Sequence, residues 1–407
     1  MKTLYKNGTI ITGTGDVLDP GWLLVENDTI AGVGPMTALS QAVDALDNTK
    51  ETDLSGLTIM PGMIDCHVHL VMDGSPDPTA PLMTMDDATA AIRMMIHARQ
   101  TLNAGFTTVR DLGCLNHVGL RVRDAINQGW ITGPRILGAG QMICMTGGHG
   151  WQIGREADGP DEVRKAVRAQ IKAGADVIKL MATGGICTRG VEPGHTQYSF
   201  EEMRAGIIEA HKAGIPAAAH AQGLEGVKIA LEAGIDTIEH GMNLDEEAID
   251  MMYKNQIPLI PTLAAGACII RHGRQSGIPS FIVEKSERHR QERIQSCIHA
   301  WRAGVSIALG TDAGTPFNRH GNNAAELSEL AVTGMKSHDI LLAATGNAAS
   351  AIGISHITGT LAPGMQADFL VLKQNPLENI RVLLERQTFL EIHMGGNRID
   401  KDNGCDT

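Results

Sequence analysis

PGMIDCHVHL, residues 61–70, is the stretch on which the reading of this chain turns. Two histidines, His67 and His69, stand one residue apart in a largely apolar run. Side chains alternate faces along a strand, so residues two apart project from the same side. Read as a strand, the stretch sends both imidazoles to one face at its C-terminal end. Cys66, just before them, points the other way. Paired imidazoles on one strand face call for further polar partners, and the rest of the chain offers them.

Downstream, the dipeptide Ala-Gly closes a helical stretch and precedes an apolar run in LNAGFTTV, IKAGADVI, HKAGIPAA, LEAGIDTI and WRAGVSIA. The glycines are Gly105, Gly174, Gly214, Gly234 and Gly304. Glycine just past a helix end supplies a left-handed cap, and a buried strand follows. Repetition of helix, glycine and strand means βα units on a parallel sheet, whose strands read as continuous apolar runs. The candidate strands are IDCHVHL, TTVRD, RILGAG, VIKLMAT, AAAHA, TIEHG, PLIPT and SIALGTD. Eight strands, each followed by a helical stretch, suit an α/β fold of the (β/α)8, TIM-like barrel type. The competing architecture is a doubly wound open sheet. It fits the count less well, and no GxGxxG turn follows the first strand.

The two ends have a different texture. TLYKNGTIITG, GWLLVENDTIAGVG and LTIMPG at the start, and ADFLVL and FLEIHMGGNRI near the end, read as short strands between turns. The expectation is a small β-sandwich domain built from residues 1–58 plus 357–407, around a barrel spanning 59–356. Pro61-Gly62 is then the hinge between them.

Bulk properties set the outer limits. The chain has 407 residues, 43 % hydrophobic but only 3 % aromatic, with 47 glycines. A formal net charge of -12 argues against nucleic acid and against an anionic membrane surface. Seven scattered cysteines without a CxxC pair read as reduced thiols of a cytoplasmic protein. The start MKTLYKNGTI lacks the apolar core of a signal peptide, and no run reaches membrane-spanning length. Met-rich AAIRMMIHA leaves room for a homo-oligomer interface.

In barrels of this kind the active site lies at the C-terminal strand ends. Those ends carry His67 and His69, Lys179 in DVIKLMAT, His220 in AAAHA, His240 in TIEHG and Asp312 in ALGTDAG. Lys179, His220 and His240 follow their glycines by five, six and six residues, which places them at similar heights. Each alone has a bland reading: a hydrogen-bonded core histidine, an ion-paired lysine, a helix-capping aspartate. Burying all of them in one small volume is costly without compensation. A divalent metal compensates, and N and O donors suit Zn2+ or a similar ion. Lys179 is the anomaly, because an ammonium has no lone pair. It could contribute only after losing its proton, which burial encourages, and gaining a carboxylate from carbon dioxide.

HVH on the first strand, Lys on the fourth, His on the fifth and sixth and Asp on the eighth resembles the amidohydrolase superfamily, binuclear metal-dependent branch. The resemblance covers essentially the whole chain. It implies two divalent metal ions, with His67, His69 and Asp312 on one, His220 and His240 on the other, and carboxylated Lys179 bridging them. It further implies that a metal-bridging hydroxide attacks the amide carbonyl, while Asp312 passes the proton to the leaving amine. Mononuclear deaminases of that superfamily carry Glu three residues after the fifth-strand His. Here that position is Gly223, which argues against deamination.

The loops speak to substrate. MTGGHG, 145–150, places His149 after the third strand; the bland reading is a turn with an exposed histidine. The stretch 184–203 offers Arg189, His195 and Tyr198 before a helix capped by Ser199; Tyr198 could equally be a hydrophobic staple. TPFNRHGNNAAEL adds Arg319, His320 and Asn323. Cationic and donor groups above the site of an acidic chain suggest a substrate with a free α-carboxylate. GGHG followed by that tyrosine resembles the imidazolonepropionase-like group and, within it, the prolidase-type dipeptidases and aryl-amide hydrolases. The resemblance implies that His149 and Tyr198 bind the carbonyl and orient the substrate; Arg189 and Asn323 are further candidate contacts. The expected activity is dipeptide hydrolysis, Xaa-Pro or related, or N-acyl amino acid hydrolysis. The alternative is another amide, carbamate, urea or cyclic amide, imidazolonepropionate and xenobiotics included. A catalytically dead scaffold is the non-enzymatic alternative, but it predicts missing ligands, and all six are present.

Overall fold

A computed structural model describes residues 2–42 and 49–400. Residues 1, 43–48 and 401–407 of the expected terminal unit lie outside the described residues. The two ends of the chain do meet in one eight-stranded sheet. Thr58–Pro61 is the splice: it pairs parallel with Lys2–Ile11 and antiparallel with Phe369–Leu372. Ile10, Leu23, Ile30, Ile59 and Phe369 bury their side chains there. The chain then passes through Gly62 into Met63–Val68. A Cβ at Gly62 would lie 2.1 Å from Thr107 Oγ1, so only glycine allows this close crossing.

The middle of the chain forms parallel strands. One sheet orders Met63–Val68, Phe106–Asp111 and Arg135–Gly138. A second orders Arg155–Glu156, Ile143–Cys144, Ile178–Met181, Ala217–Ala221, Thr237–His240 and Leu259–Ile260. Residues of Met63–Val68, Ile178–Met181, Ala217–Ala221 and Thr237–His240 are all buried, as expected of strands covered on both faces. The five repeated glycines have φ of 86, 93, 70, 90 and 89°. Each donates its N–H to the carbonyl three residues back in the preceding helix: Leu102, Ile171, His211, Leu231 and Trp301. The repeat therefore marks helix exits.

Two expected strands differ. RILGAG ends as a strand at Gly138, and Ile143–Cys144 takes the next place in the ladder. SIALGTD is not a regular strand; Ile307 makes a single bridge to Leu259 and Ala313 another to Val68. Asp312, with φ of 59°, turns the backbone out of extended geometry. The segment still lies between neighbours. Leu259 N donates to Ser306 O at 2.9 Å, and Cys66 N to Leu309 O at 2.9 Å. On the opposite side, Asp176 N donates to Gly138 O at 2.8 Å, linking the two sheets. No helix of the described residues is long and apolar enough to cross a membrane.

Candidate active site

The strand ends converge on a cavity lined in part by His67, His69, Lys179, His220, His240 and Asp312. His67 is the penultimate residue of its strand and His69 lies just beyond the end. Their Nε2 atoms stand 3.6 and 3.5 Å from Asp312 Oδ1. The three residues offer ligand atoms within 4.8 Å of one another. The turn at Asp312 is held by its N–H donating to His67 O at 2.7 Å. The His240 ring centres 5.0 Å from that of His67 and 4.5 Å from that of His220. His220 pairs with Met181 in the ladder, and Lys179 with Ala218, so Lys179 starts two residues lower than His220. Its longer side chain spans the difference.

Each histidine is oriented from behind. Nδ1 of His67 meets Glu239 Oε2 at 2.8 Å, Nδ1 of His69 meets Gly113 O at 3.1 Å, and Nδ1 of His240 meets Thr262 Oγ1 at 2.6 Å. His220 uses Nε2, 3.0 Å from Gly184 O. This leaves the opposite ring nitrogen of each for the cavity, the arrangement typical of ligating imidazoles. Burial lowers all four below the usual imidazole range, His67 to about 4, which keeps the rings neutral and able to ligate.

Glu239 and Arg110 are the partners that the sequence reading missed. Arg110 Nη2 donates to Glu239 Oε1 at 2.7 Å and its Nε to Cys66 O at 2.7 Å. Burial raises the Glu239 carboxyl, but Arg110 and the hydrogen bond from His67 outweigh it and hold the group near 2. Glu239 was hidden by strand alternation, which puts neighbours on opposite faces. His240 has φ of 75°, so the rule breaks there, and both residues reach His67.

Lys179 is buried, and its Nζ has no hydrogen-bond partner. Burial lowers its ammonium to about 8, although Glu239 opposes the shift. An orphaned, easily neutralised amine among four neutral imidazoles and an aspartate is a donor set that fits divalent metal ions, with a carboxylated lysine between them.

His149 also lines the cavity; its ring lies 4.5 Å from that of His220, and Nδ1 is 2.8 Å from Thr188 Oγ1. Burial pushes this imidazole down to about 3. Tyr198, Arg189 and Asn323 do not join it. The Tyr198 hydroxyl donates to Ala157 O at 2.8 Å from within the apolar core, where Met203 also lies. That placement suits a staple beside the Ser199 cap, which the structure forms with Glu202. Arg189 is exposed, 4.7 Å above the Phe281 ring. Asn323 is fully buried and donates to Asp65 Oδ2 at 2.7 Å. His320 is buried beneath the site, with Nε2 3.2 Å from His69 O. Besides Lys179, Arg293 lines the cavity, a cation that no sequence motif flagged.

Known proteins resemble this chain in sequence and fold. Ochratoxinase of Aspergillus niger is 32 % identical over 97 % of this chain and 86 % of that protein. The crystal structure of a Xaa-Pro dipeptidase with bound methionine in the active site is 31 % identical, with a TM-score of 0.88, covering 98 % of this chain and all of that one. A prolidase complexed with N-methylphosphonate-L-proline is 30 % identical, with a TM-score of 0.89, covering 99 % of this chain and all of that one. The model of the Amidohydrolase family matches residues 58–397, from the splice strand through every strand-end donor described above. A hydrolase acting on C–N bonds follows from that match, and the chain belongs to the amidohydrolase family.

Proposed function

We propose that the protein is a binuclear metal-dependent hydrolase of small amides, most suited to dipeptides of the Xaa-Pro or related type or to N-acyl amino acids. The observation that carries this reading is the convergence of His67, His69, Lys179, His220, His240 and Asp312 on one cavity. In this reading the two parallel sheets and residues 305–313 close as a (β/α)8 barrel over 59–356. Residues 1–58 and 357–407 form the smaller β-sandwich domain. The neighbours named as prolidase and dipeptidase support a substrate ending in an amino acid.

His67, His69 and Asp312 would hold one ion, His220 and His240 the other, and carboxylated Lys179 would bridge; Zn2+ suits these donors. When bound, such ions polarise an amide carbonyl and lower the pKa of water to supply a nucleophile. Asp312 accepts the proton and returns it to the departing amine. His149, beside His220, donates to the substrate carbonyl. Glu239 and Arg110 hold His67 in place. Tyr198 and Asn323 have their polar groups engaged elsewhere, Arg189 lies exposed over Phe281, and none of the three receives a substrate contact here.

The six described cysteines are free, and five of them are buried, which supports a cytoplasmic setting. Ile92 and Ile96, 61 % and 52 % exposed on the helix Asp87–Asn103, support a homo-oligomer. The test is a library of dipeptides and N-acyl amino acids offered to zinc-loaded protein, read by ninhydrin alongside metal analysis. The expected result is about two metals per chain and turnover of a subset. A two-metal protein inert to the whole library, yet active on carbamates, ureas or cyclic amides, would move the assignment to that class.

A further inference from the structure

Arg293 lies on the 23-residue helix Ser280–Arg302 and reaches the wall of the catalytic cavity. It is 7 % exposed. Nη2 donates to Pro261 O at 3.0 Å and to both Thr262 O and Thr262 Oγ1 at 2.8 Å. The same hydroxyl stands 2.6 Å from His240 Nδ1, so the guanidinium is fixed one side chain away from the His220–His240 pair.

The rest of the group is unclaimed. Nε is buried with no partner, and among the described residues Nη1 has none either. Gly266 keeps the space beside Nη1 open, since a Cβ there would approach it to 3.2 Å. No carboxylate among the described residues pairs with Arg293. The acids that act on Arg293 are Asp312 and Glu326; neither forms an ion pair with it, and Glu326 has both oxygens occupied by the N–H groups of Leu263 and Ala264, at 2.8 and 2.6 Å. A buried cation without a counter-ion is unfavourable unless an anion arrives. The cavity wall also carries apolar Ile186, Ala265 and Ile269.

We propose that Arg293 is the substrate-binding residue for the free carboxylate of the substrate, and that Ile186 and Ile269 receive an apolar side chain of the same amino acid. This rests on the amide-hydrolase reading above and sharpens it: the substrate class is N-acyl or N-aminoacyl derivatives of apolar amino acids with a free carboxylate. Guanidinium is well matched to a carboxylate, because its donors are fixed in a plane and always charged.

The experiment compares N-acetyl-L-leucine with N-acetyl-L-leucinol, which keeps the scissile amide and side chain but lacks the carboxylate. The zinc-loaded protein should favour the acid in kcat/KM by roughly 100-fold, the order of effect of a desolvated charge pair. In Arg293→Gln that ratio should collapse towards one, mainly through KM, and Arg293→Lys should restore part of it. A ratio unchanged while both rates fall together would make Arg293 a prop for Thr262 and His240, and the proposal is then wrong. If neither compound nor any other amide is cleaved, the amide-hydrolase reading fails, and calorimetry decides the residue separately. Tighter binding of L-leucine than of leucinol by the zinc-loaded protein, lost in Arg293→Gln, supports the assignment. Equal discrimination in both proteins overturns it.

Discussion

The floor of the cavity and its outer wall hold charge by opposite means. On the floor, the Glu239–Arg110 pair answers its own charge. Glu239 takes hydrogen bonds from Arg110 and Thr237 and meets Nδ1 of His67, and Arg110 also reaches the Cys66 carbonyl. On the wall, Arg293 rests on backbone carbonyls and a threonine hydroxyl without a counter-ion. The support beneath His67 is complete before any substrate arrives. The wall is complete only with an anion. A rigid floor suits residues that must hold metal ions and a proton in fixed geometry. An open wall suits selection among substrates.

The largest effect is expected where the floor meets the reaction. Asp312→Asn keeps the size of the side chain but removes the proton acceptor. Turnover should fall by about 10²- to 10⁴-fold, the usual weight of a positioned acid or base. Circular dichroism should show the fold unchanged. Near-normal turnover would take the proton-carrying role away from Asp312 and make the floor a metal holder alone.

Lys179→Ala asks whether the floor needs its lysine as a bridge. The variant should bind one metal fewer per chain, with activity lost in parallel, and the readout is metal content by mass spectrometry. Full occupancy would return Lys179 to the role of a buried amine balanced by Glu239.

Glu239→Gln tests the support beneath His67. Loss of an outer partner of a ligating histidine weakens metal binding by about 10- to 100-fold. It also leaves Arg110 buried without its anion, a loss of about 3–5 kcal/mol in stability. Chelator titration and chemical denaturation read the two effects separately. A stability loss without a change in metal affinity would show that Glu239 serves the fold and not the site.

These differences also explain how far the sequence could be read. The strand-end donors were legible because parallel strands bury both faces, so a histidine or lysine at the end of an apolar run stands out. The Ala-Gly repeat was legible because a left-handed helix exit selects glycine. Glu239 was not, because alternation fails at His240 with its φ of 75°. The eighth strand was over-read for the same reason, since Asp312 also sits at positive φ. Arg293 was invisible because it belongs to a helix, where an arginine every few turns is ordinary. Loop residues were the least legible. Sequence places Tyr198 near the site but does not say which way its ring turns, and the ring turns into the core.

Tyr198→Phe carries the smallest expected effect and separates floor from wall most cleanly. The hydroxyl donates to the Ala157 carbonyl, and Ala157 is itself buried. Removing the donor leaves that carbonyl unsatisfied, at a cost of about 1–3 kcal/mol. The melting temperature should drop by a few degrees while kcat/KM stays as it was. The opposite pattern, an unchanged melting temperature with a kcat/KM reduced about tenfold, amounts to about 1.4 kcal/mol lost from the transition state. It would mean that the ring swings out of the core to meet substrate. The wall would then include a mobile tyrosine beside its fixed arginine.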